Sequence, residues 1–263
     1  MGKPVILISN DDGIDAPGIA ALEHAFRTEM TWEVIVIAPD RQRSAIGHAM
    51  NMLNPVRLVR SEDSRYAIDG TPADCVKVGY HHFCPEVALV VSGINNGPNM
   101  SVDTFYSGTV AAAREGAING IPGLAVSMNN WTGGGDYVAA AHIAVLYARW
   151  VLDNGLHKGT FLNINVPDCP VGDMKGARVT RLGKRVYNER VEVRKNPYGQ
   201  TYFWLGCGNL DYESDPGSDL DAVAEGYISV TALGLDCQDR RSSEENNQVW
   251  ESMGLQSLPD GVL

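Results

Sequence analysis

Small polar residues follow the ends of several apolar runs, and their side chains are of the kind that holds cations. Asp11 and Asp12 come directly after the apolar residues 5–9, while Ser44 and Asn95 follow two later runs. Carboxylate, hydroxyl and amide oxygens are the ligands that Mg²⁺ and Mn²⁺ prefer. Two adjacent carboxylates also repel each other unless a cation or a proton lies between them. This set of oxygens would leave room on a bound cation for water and a phosphate oxygen.

Each of these signals also has a plainer explanation. Asp11 and Asp12 could form a solvated acidic turn ahead of a helix that starts at Pro17. Asn95 and the asparagines after it could serve only to shape a loop rich in glycine and proline. Polar residues follow three of four successive apolar runs, and that convergence favours a cation site more than any single loop does.

A second group of residues is suited to binding an anion. Ser107, Gly108 and Thr109 begin a predicted helix, whose free N–H groups and positive dipole end attract phosphate. Gly108 would let an anion approach the backbone closely. The same three residues could equally be an ordinary helix cap. Arg43 could neutralise a phosphate or be an ordinary surface charge.

The elements that must position these residues alternate between strand and helix. Strands are predicted at 5–9, 34–38, 87–92, 124–127 and 161–166, and helices begin at Pro17, Thr71, Ser107 and Asp136. The helix at 136–153 is apolar almost all round, which predicts deep burial. The pattern predicts an α/β fold, with a Rossmann-like, mostly parallel sheet and helices on both faces. Ligands of such sheets bind at the carboxyl ends of the strands.

After about residue 170 the pattern changes. Two β-rich segments flank residues 196–199, which predicts a hairpin with a loop of four or five residues. A short helix and a final strand follow. Residues 1–170 are therefore predicted to form the catalytic core, and 171–263 a hairpin and C-terminal oligomerisation region that completes the same domain. The hairpin carries more aromatic surface than an isolated two-stranded ribbon can bury on itself, namely Tyr198, Tyr202, Phe203 and Trp204. A partner subunit would cover this surface, which predicts a homo-oligomer.

Composition excludes several classes of protein. The formal net charge of −11 opposes binding to polymeric nucleic acid. No apolar run approaches the roughly 20 residues of a membrane span, so we expect no membrane association. The first ten residues do not resemble a signal peptide. The five cysteines are odd in number and widely spaced, which argues against a disulfide framework or a zinc site and predicts reduced thiols in a cytoplasmic protein.

Six blocks of the sequence resemble, in order, blocks of the SurE survival-protein nucleotidase family, over most of residues 5–170. They are Ser9-Asn10-Asp11-Asp12-Gly13, Ala38-Pro39-Asp40 with Arg43-Ser44-Ala45, Gly70-Thr71-Pro72-Ala73-Asp74-Cys75, Ser92-Gly93-Ile94-Asn95 with Gly97-Pro98-Asn99, Tyr106-Ser107-Gly108-Thr109-Val110, and Leu162-Asn163-Ile164-Asn165-Val166-Pro167.

The resemblance implies a Rossmann-like core with one divalent cation per subunit, Mg²⁺ or Mn²⁺, bound by Asp11, Asp12, Ser44 and Asn95. It implies phosphatase activity on nucleoside 5′- and 3′-monophosphates, sometimes with short polyphosphate as a further substrate. It also implies homodimers or homotetramers, formed through an extended hairpin at about 191–205 and an exchanged C-terminal segment. Residues 234–248 are more polar than the usual family ending.

The predicted reaction is metal-assisted hydrolysis of a phosphate monoester, with Asp11 and Asp12 as catalytic residues and Asp11 orienting or deprotonating the attacking water. The predicted substrate-binding residues are Asn95, Ser107, Gly108, Thr109 and Arg43. Two alternatives stay open. One is an aspartyl-phosphate phosphatase with Asp11 as nucleophile, although such enzymes use an Asp-x-Asp pattern. The other is a nucleotide-binding regulator without turnover, against which the complete set of oxygen ligands argues.

Overall fold

The computed structural model describes residues 2–130, 135–187, 190–205 and 210–236. The strands are β1 (Val5–Ser9), β2 (Glu33–Pro39), β3 (Leu58–Glu62), β4 (Arg65–Ile68), β5 (Val87–Asn96), β6 (Gly123–Met128), β7 (Thr160–Val166), β8 (Ala177–Thr180), β9 (Lys184–Tyr187), β10 (Glu192–Lys195), β11 (Thr201–Trp204), β12 (Leu210–Glu213) and β13 (Ile228–Gly234). The α-helices are α1 (Pro17–Arg27), α2 (Pro72–Val78), α3 (Gly108–Ile118), α4 (Tyr137–Asn154) and α5 (Asp219–Ala224).

Within the described ranges, nine strands form one sheet in the order β3-β4-β2-β1-β5-β6-β7-β13-β8. Its centre is parallel, from β4 through β2, β1, β5 and β6 to β7. The pairs β3–β4 and β7–β13 are antiparallel. The mostly parallel sheet confirms the predicted fold class. Because β8 and β13 belong to the main sheet, the segment after residue 170 contributes to the core as well.

Helices cover both faces of the sheet, as predicted. Alternate residues of a strand point to opposite faces, so Ile6 and Ile8 of β1 face one side and Leu7 faces the other. Ile6 and Ile8 share a core cluster with Leu22 of α1 and with the alanines of α4. Leu7 shares a second cluster with Val76 of α2 and with residues of α3. The loops that follow the carboxyl ends of the central strands are thus attached to strands that are buried on both faces.

The prediction that α4 is deeply buried was wrong for one side of the helix. Ala140, Ala144 and Ala148 are fully buried, but Leu146 is 65 % exposed and Trp150 is 52 % exposed. The alanines pack between the sheet and α1, whereas Trp150 borders a cavity of about 310 Å³ that is also lined by residues of β7, β8 and β13. Apolar composition all round a helix therefore did not mean burial all round.

Five strands were not predicted from the sequence: β3, β4, β8, β9 and β12. All five residues of β3 are exposed, so this strand lacks the apolar run that identifies the strands of the sheet's centre. A tight turn at Asp63 and Ser64, both with positive φ, joins it to β4. This hairpin forms the edge of the sheet next to β2.

The predicted hairpin near residue 196 is confirmed. β10 pairs with β11 in antiparallel register, with Val193 opposite Phe203, and residues 196–200 form the loop. The exchanged C-terminal segment and most of the atypical family ending fall after residue 236, outside the described residues. No helix in the described part of the chain is long and apolar enough to cross a bilayer.

Candidate active site

A tight turn after β1 positions the two adjacent carboxylates. Asn10 closes this turn, because its Nδ2 donates to the Gly13 carbonyl at 2.9 Å and its Oδ1 accepts from the Gly13 N–H at 3.2 Å. Gly13 has a φ of +99°, and a Cβ there would lie 3.0 Å from the backbone of Arg41. The turn therefore requires glycine, and it sets Asp11 and Asp12 at the carboxyl end of the central strand.

The beginning of α3 holds Asp11 in place. The Asp11 side chain is 4 % exposed, and the Thr109 hydroxyl donates to its Oδ1. The backbone N–H of Thr109 also lowers the pKa of this carboxyl. Gly108 packs so closely that a Cβ there would lie 2.7 Å from the Asp11 Cβ and 3.0 Å from its Oδ2. From the next loop, the Arg43 N–H donates to the Asp11 carbonyl at 2.7 Å.

No basic side chain of the described residues neutralises the carboxylates of Asp11 and Asp12 through a salt bridge. Burial, together with the charge of Asp12, raises the pKa of Asp11 to about 6, although the Thr109 hydroxyl opposes this shift. Burial also raises the pKa of Asp12, whose Oδ2 accepts from the Asn96 N–H at 3.1 Å. Across the described residues, no lysine, arginine or histidine forms a salt bridge with either aspartate. A divalent cation would supply the missing charge.

A cavity of about 250 Å³ opens beside Asp11 at the edge of the sheet. Ser44 and Asn95 line this cavity with Asp11, so three of the four predicted metal ligands face the same space. Asp12 lines an adjoining cavity of about 440 Å³. Asn96 lines both cavities, which places Asp12 at the border between them.

Hydrogen bonds orient Asn95 and Ser44, the two predicted neutral ligands. The Asn95 Nδ2 donates to the Gly97 carbonyl at 2.7 Å, which leaves the amide oxygen as an acceptor. The Gln42 Nε2 donates to Ser44 Oγ at 3.0 Å. Among the described residues, no group of three histidine, cysteine or acidic side chains could hold a metal. A cation at this site therefore needs the neutral oxygens as well, and such a donor set fits a hard cation such as Mg²⁺ or Mn²⁺.

The three residues predicted to hold phosphate occupy different positions. Ser107 lines the cavity, and its Oγ accepts from the Val110 N–H at 3.0 Å as the N-cap of α3. Thr109 is fully buried and bonded to Asp11, and Gly108 packs against that same side chain. The positive end of α3 thus faces a carboxylate of the protein.

The Arg43 side chain is engaged outside the cavity. Its Nη2 donates to the Asp69 carbonyl at 2.7 Å and lies 3.6 Å from Asp40 Oδ1. These contacts, with the backbone bond to Asp11, connect the loop that carries Ser44 to the two neighbouring loops. In this arrangement Arg43 braces the site.

A buried amide network that sequence reasoning missed anchors the loop after β5. The Asn99 N–H donates to Asn165 Oδ1 at 2.8 Å, and the Asn163 Nδ2 donates to the Asn99 carbonyl at 2.8 Å. The Asn99 Nδ2 donates to Ser127 Oγ, also at 2.8 Å. Asn163 and Asn165 are two residues apart on β7, so they point to one face of the sheet. Two asparagines at this spacing in an apolar strand were the signal available.

Sequence reasoning also missed the part of the cavity wall that comes from beyond residue 170. Tyr187, the last residue of β9, lines the cavity together with Asp103. The Tyr187 hydroxyl donates to Asp103 Oδ1, and the Arg185 Nε lies 2.7 Å from Asp103 Oδ2. Burial raises the pKa of Asp103, against the opposing charge of Arg185. These residues are more than 80 positions apart, so no local pattern relates them.

Comparison with known proteins identifies the family. The family description "Survival protein SurE" matches residues 6–189. A protein named 5′-nucleotidase SurE from Pelobacter propionicus is 48 % identical over 232 residues, which cover 88 % of this chain and 93 % of that protein. The 5′-nucleotidase SurE of Geobacter sulfurreducens is 46 % identical over 232 residues, or 88 % of each chain.

The fold agrees with this assignment. The crystal structure of the SurE protein from Aquifex aeolicus superposes with a TM-score of 0.82 at 38 % identity, covering 94 % of this chain and 99 % of that one. The matched segment includes the turn at Asp11, the loops of Ser44 and Asn95, and the start of α3. On this evidence the chain belongs to the SurE survival-protein family.

Proposed function

We propose that this chain is a metal-dependent 5′-nucleotidase that hydrolyses nucleoside monophosphates to nucleoside and phosphate. The observation that carries the proposal is the set of oxygens at one edge of the sheet, with Asp11, Ser44 and Asn95 on one cavity and Asp12 at its border. Relatives at 46–48 % identity that bear the name 5′-nucleotidase support it. The resemblance of the signature blocks extends the proposal to 3′-monophosphates and short polyphosphate.

The proposed metal ligands are Asp11, Asp12, Ser44 and Asn95, for one Mg²⁺ or Mn²⁺ per subunit. When bound, such a cation supplies a Lewis acid that neutralises charge on the phosphoryl group. Its fit to this protein rests on one buried carboxylate, Asp11, and one half-buried carboxylate, Asp12, whose pKa values are raised and that form no salt bridge with a described basic residue.

The chain's own residues supply position and proton transfer. The Thr109 hydroxyl fixes the Asp11 carboxylate through a hydrogen bond, so that Asp11 can orient the attacking water or accept its proton. Ser107 Oγ accepts the Val110 N–H, and its own proton is therefore left to donate to a phosphate oxygen. Gly108 and Arg43 act through the residues they support: Gly108 leaves room for Asp11, and Arg43 braces the Ser44 loop.

We also propose that the protein is a homodimer or homotetramer in the cytoplasm. The hairpin of β10 and β11 is exposed along its whole length, and Phe203 and Trp204 are 61 % and 55 % exposed. A second subunit would cover such apolar surface. Free thiols at Cys75, Cys84 and Cys169 are in keeping with a reducing compartment.

Phosphate release from a panel of nucleoside monophosphates tests the proposed activity. We expect release with Mg²⁺ or Mn²⁺ and none in excess chelator after the metal has been stripped. Full activity in chelator would contradict the metal mechanism. Binding without release would favour a regulator, and a trapped phospho-enzyme would favour the aspartyl-phosphate alternative.

Asp12→Asn tests the proposed ligand set. This substitution keeps the size of the side chain and removes one charge, so we expect weaker Mn²⁺ binding and about 100-fold or greater loss of turnover at low metal. Asp153→Asn, at an exposed position near the end of α4, is the matched control. Near-normal turnover of Asp12→Asn at low metal would remove Asp12 from the site.

A further inference from the structure

An exposed tyrosine stands on the wall of the 250 Å³ cavity beside the proposed phosphate site. Tyr106 lines this cavity and is 62 % exposed, although large aromatic side chains are usually buried. It directly precedes Ser107, which lines the same cavity. Tyr106 and the proposed phosphate contact Ser107 therefore border the same cavity.

The backbone of Tyr106 is fixed while its ring is left free. The Tyr106 N–H donates to the Asp103 carbonyl at 3.0 Å, and its own carbonyl accepts from the Gly47 N–H at 2.8 Å. The second bond connects Tyr106 to the loop of Ser44. A ring on such a rigid backbone needs little ordering when a flat ligand stacks on it.

The surroundings of Tyr106 suit an aromatic ring better than a charged group. Ala45 and Pro98 line the same cavity. Asp103 also lines it, but one carboxylate oxygen accepts from Tyr187 and the other pairs with Arg185. The charge of Asp103 is thus already matched, and a neutral ring can enter beside it without leaving that carboxylate unpaired.

From this geometry we propose that Tyr106 is the stacking platform for the nucleobase of the substrate. The inference rests on the proposed nucleotidase activity and names the part of the substrate that this wall recognises. Stacking on a tyrosine face is available to every base, because each base has a π-face. The site therefore selects nucleotides over simple sugar phosphates, and it favours purines modestly because of their larger rings.

The adjoining cavity of about 440 Å³ offers the competing location. It also has an aromatic residue, Tyr137 at the start of α4, but its charged lining consists of three aspartates and a single arginine: Asp12, Asp15, Asp40 and Arg41. Ser107, the proposed phosphate contact, lines the smaller cavity, so a base in that cavity stays close to its own phosphate. Tyr137 is accordingly the matched control residue.

The decisive experiment compares substrates with and without a base. For wild type, Tyr106→Ala, Tyr106→Phe and Tyr137→Ala, we would measure kcat/KM for AMP and for ribose 5-phosphate, with Mg²⁺ present. We expect the ratio of the two values to fall about 5- to 100-fold in Tyr106→Ala, mainly through KM for AMP. Tyr106→Phe keeps the ring and should retain the wild-type ratio, as should Tyr137→Ala.

Calorimetric titration with adenosine separates this inference from the activity. Adenosine has no phosphate to release, so its binding reports the base site alone. We expect Tyr106→Ala to weaken adenosine binding by a similar factor, even if no variant releases phosphate and the proposed activity fails. Unchanged adenosine binding and an unchanged substrate ratio in Tyr106→Ala would overturn the inference. A loss in Tyr137→Ala instead would place the base in the other cavity.

Discussion

The candidate active site and the β10–β11 hairpin differ in what holds their side chains. At the site, Asp11 is 4 % exposed and is fixed by hydrogen bonds from α3 and from the loop after β2. Asn99 is fixed by partners on β6 and β7. In the hairpin, all eight strand residues are exposed, and within the described residues β10 and β11 pair with each other in a two-stranded sheet.

The two regions differ in whether the described chain itself supplies partners for their side chains. Buried polar groups need hydrogen-bond partners, and the site finds them on elements brought together by the fold. The hairpin register puts Val191, Val193, Phe203 and Leu205 on one face, each more than half exposed. That apolar face, by contrast, is exposed in the described part of the chain, which is why we propose that a second subunit covers it. Three substitutions test this contrast.

Gly108→Val should have the largest effect, because it breaks the anchor of Asp11. A Cβ at Gly108 would lie 2.7 Å from the Asp11 Cβ, so the carboxylate must move. A displacement of about 1 Å can lower a rate by about 100-fold, and we expect at least that loss in kcat/KM. Mn²⁺ affinity should fall as well, since Asp11 is a proposed ligand. Steady-state kinetics and Mn²⁺ titration would measure both.

Two controls make this result specific. Gly172→Val introduces the same side chain at a glycine with open space around it and should have little effect. Ser107→Ala removes the cap of α3, at a cost of about 0.5–2 kcal/mol in stability, together with the proposed phosphate contact, and should lower kcat/KM less than Gly108→Val while leaving Mn²⁺ affinity unchanged. Normal Mn²⁺ affinity in an inactive but folded Gly108→Val protein would contradict the anchoring role and would return Gly108 to the anion site.

The start of α3 also shows what could not be predicted from the sequence. Ser107, Gly108 and Thr109 were correctly recognised as a helix start, and their N-cap hydrogen bond is present. The same signature arises whether the helix end faces a phosphate or a carboxylate of the protein. Only the packing of α3 against the β1 turn, across about a hundred residues of sequence, decides that Thr109 meets Asp11.

Local patterns predicted the central sheet because strands buried on both faces must be apolar throughout. Asp11, Ser44 and Asn95 were grouped correctly on one edge because parallel strands end there. Tyr187 and Asp103 could not be grouped, since their contact depends on β9 folding back onto the core. β3 could not be predicted from an apolar pattern, because all of its residues are exposed and exposed positions do not require apolar side chains.

Asp11→Asn should stabilise the protein when metal is removed. The folded pKa of Asp11 is about 6, above its ordinary value of 3.8, so the native state binds this proton more tightly than the unfolded state. The corresponding stability is present below about pH 4 and is lost as pH rises through about 6. The shift corresponds to about 3 kcal/mol at neutral pH, as an upper bound for the gain on removing the charge.

Thermal unfolding in excess chelator between pH 4 and 8 measures this effect. We expect a higher Tm for Asp11→Asn than for wild type at pH 7.5, with the two curves converging towards pH 4. Adding Mn²⁺ should reverse the order, because only the wild type has both carboxylates for the cation. If the two proteins lose stability in parallel across this pH range, Asp11 does not titrate as its burial indicates.

Phe203→Ser should have the smallest effect, and it tests the hairpin side of the comparison. Phe203 lies on the apolar face opposite Val193 and is 61 % exposed. If a second copy covers this face, removing the ring should weaken association by about 2 kcal/mol, or roughly 10- to 100-fold in Kd. Tyr202→Ser is the matched control, since Tyr202 lies on the opposite face of the same strand and is 39 % exposed.

Sedimentation over a range of micromolar concentrations would compare both variants with the wild type. Equal weakening by the two variants would mean that the apolar face is not the contact, and a monomeric wild type would mean that no copy of this chain covers the hairpin.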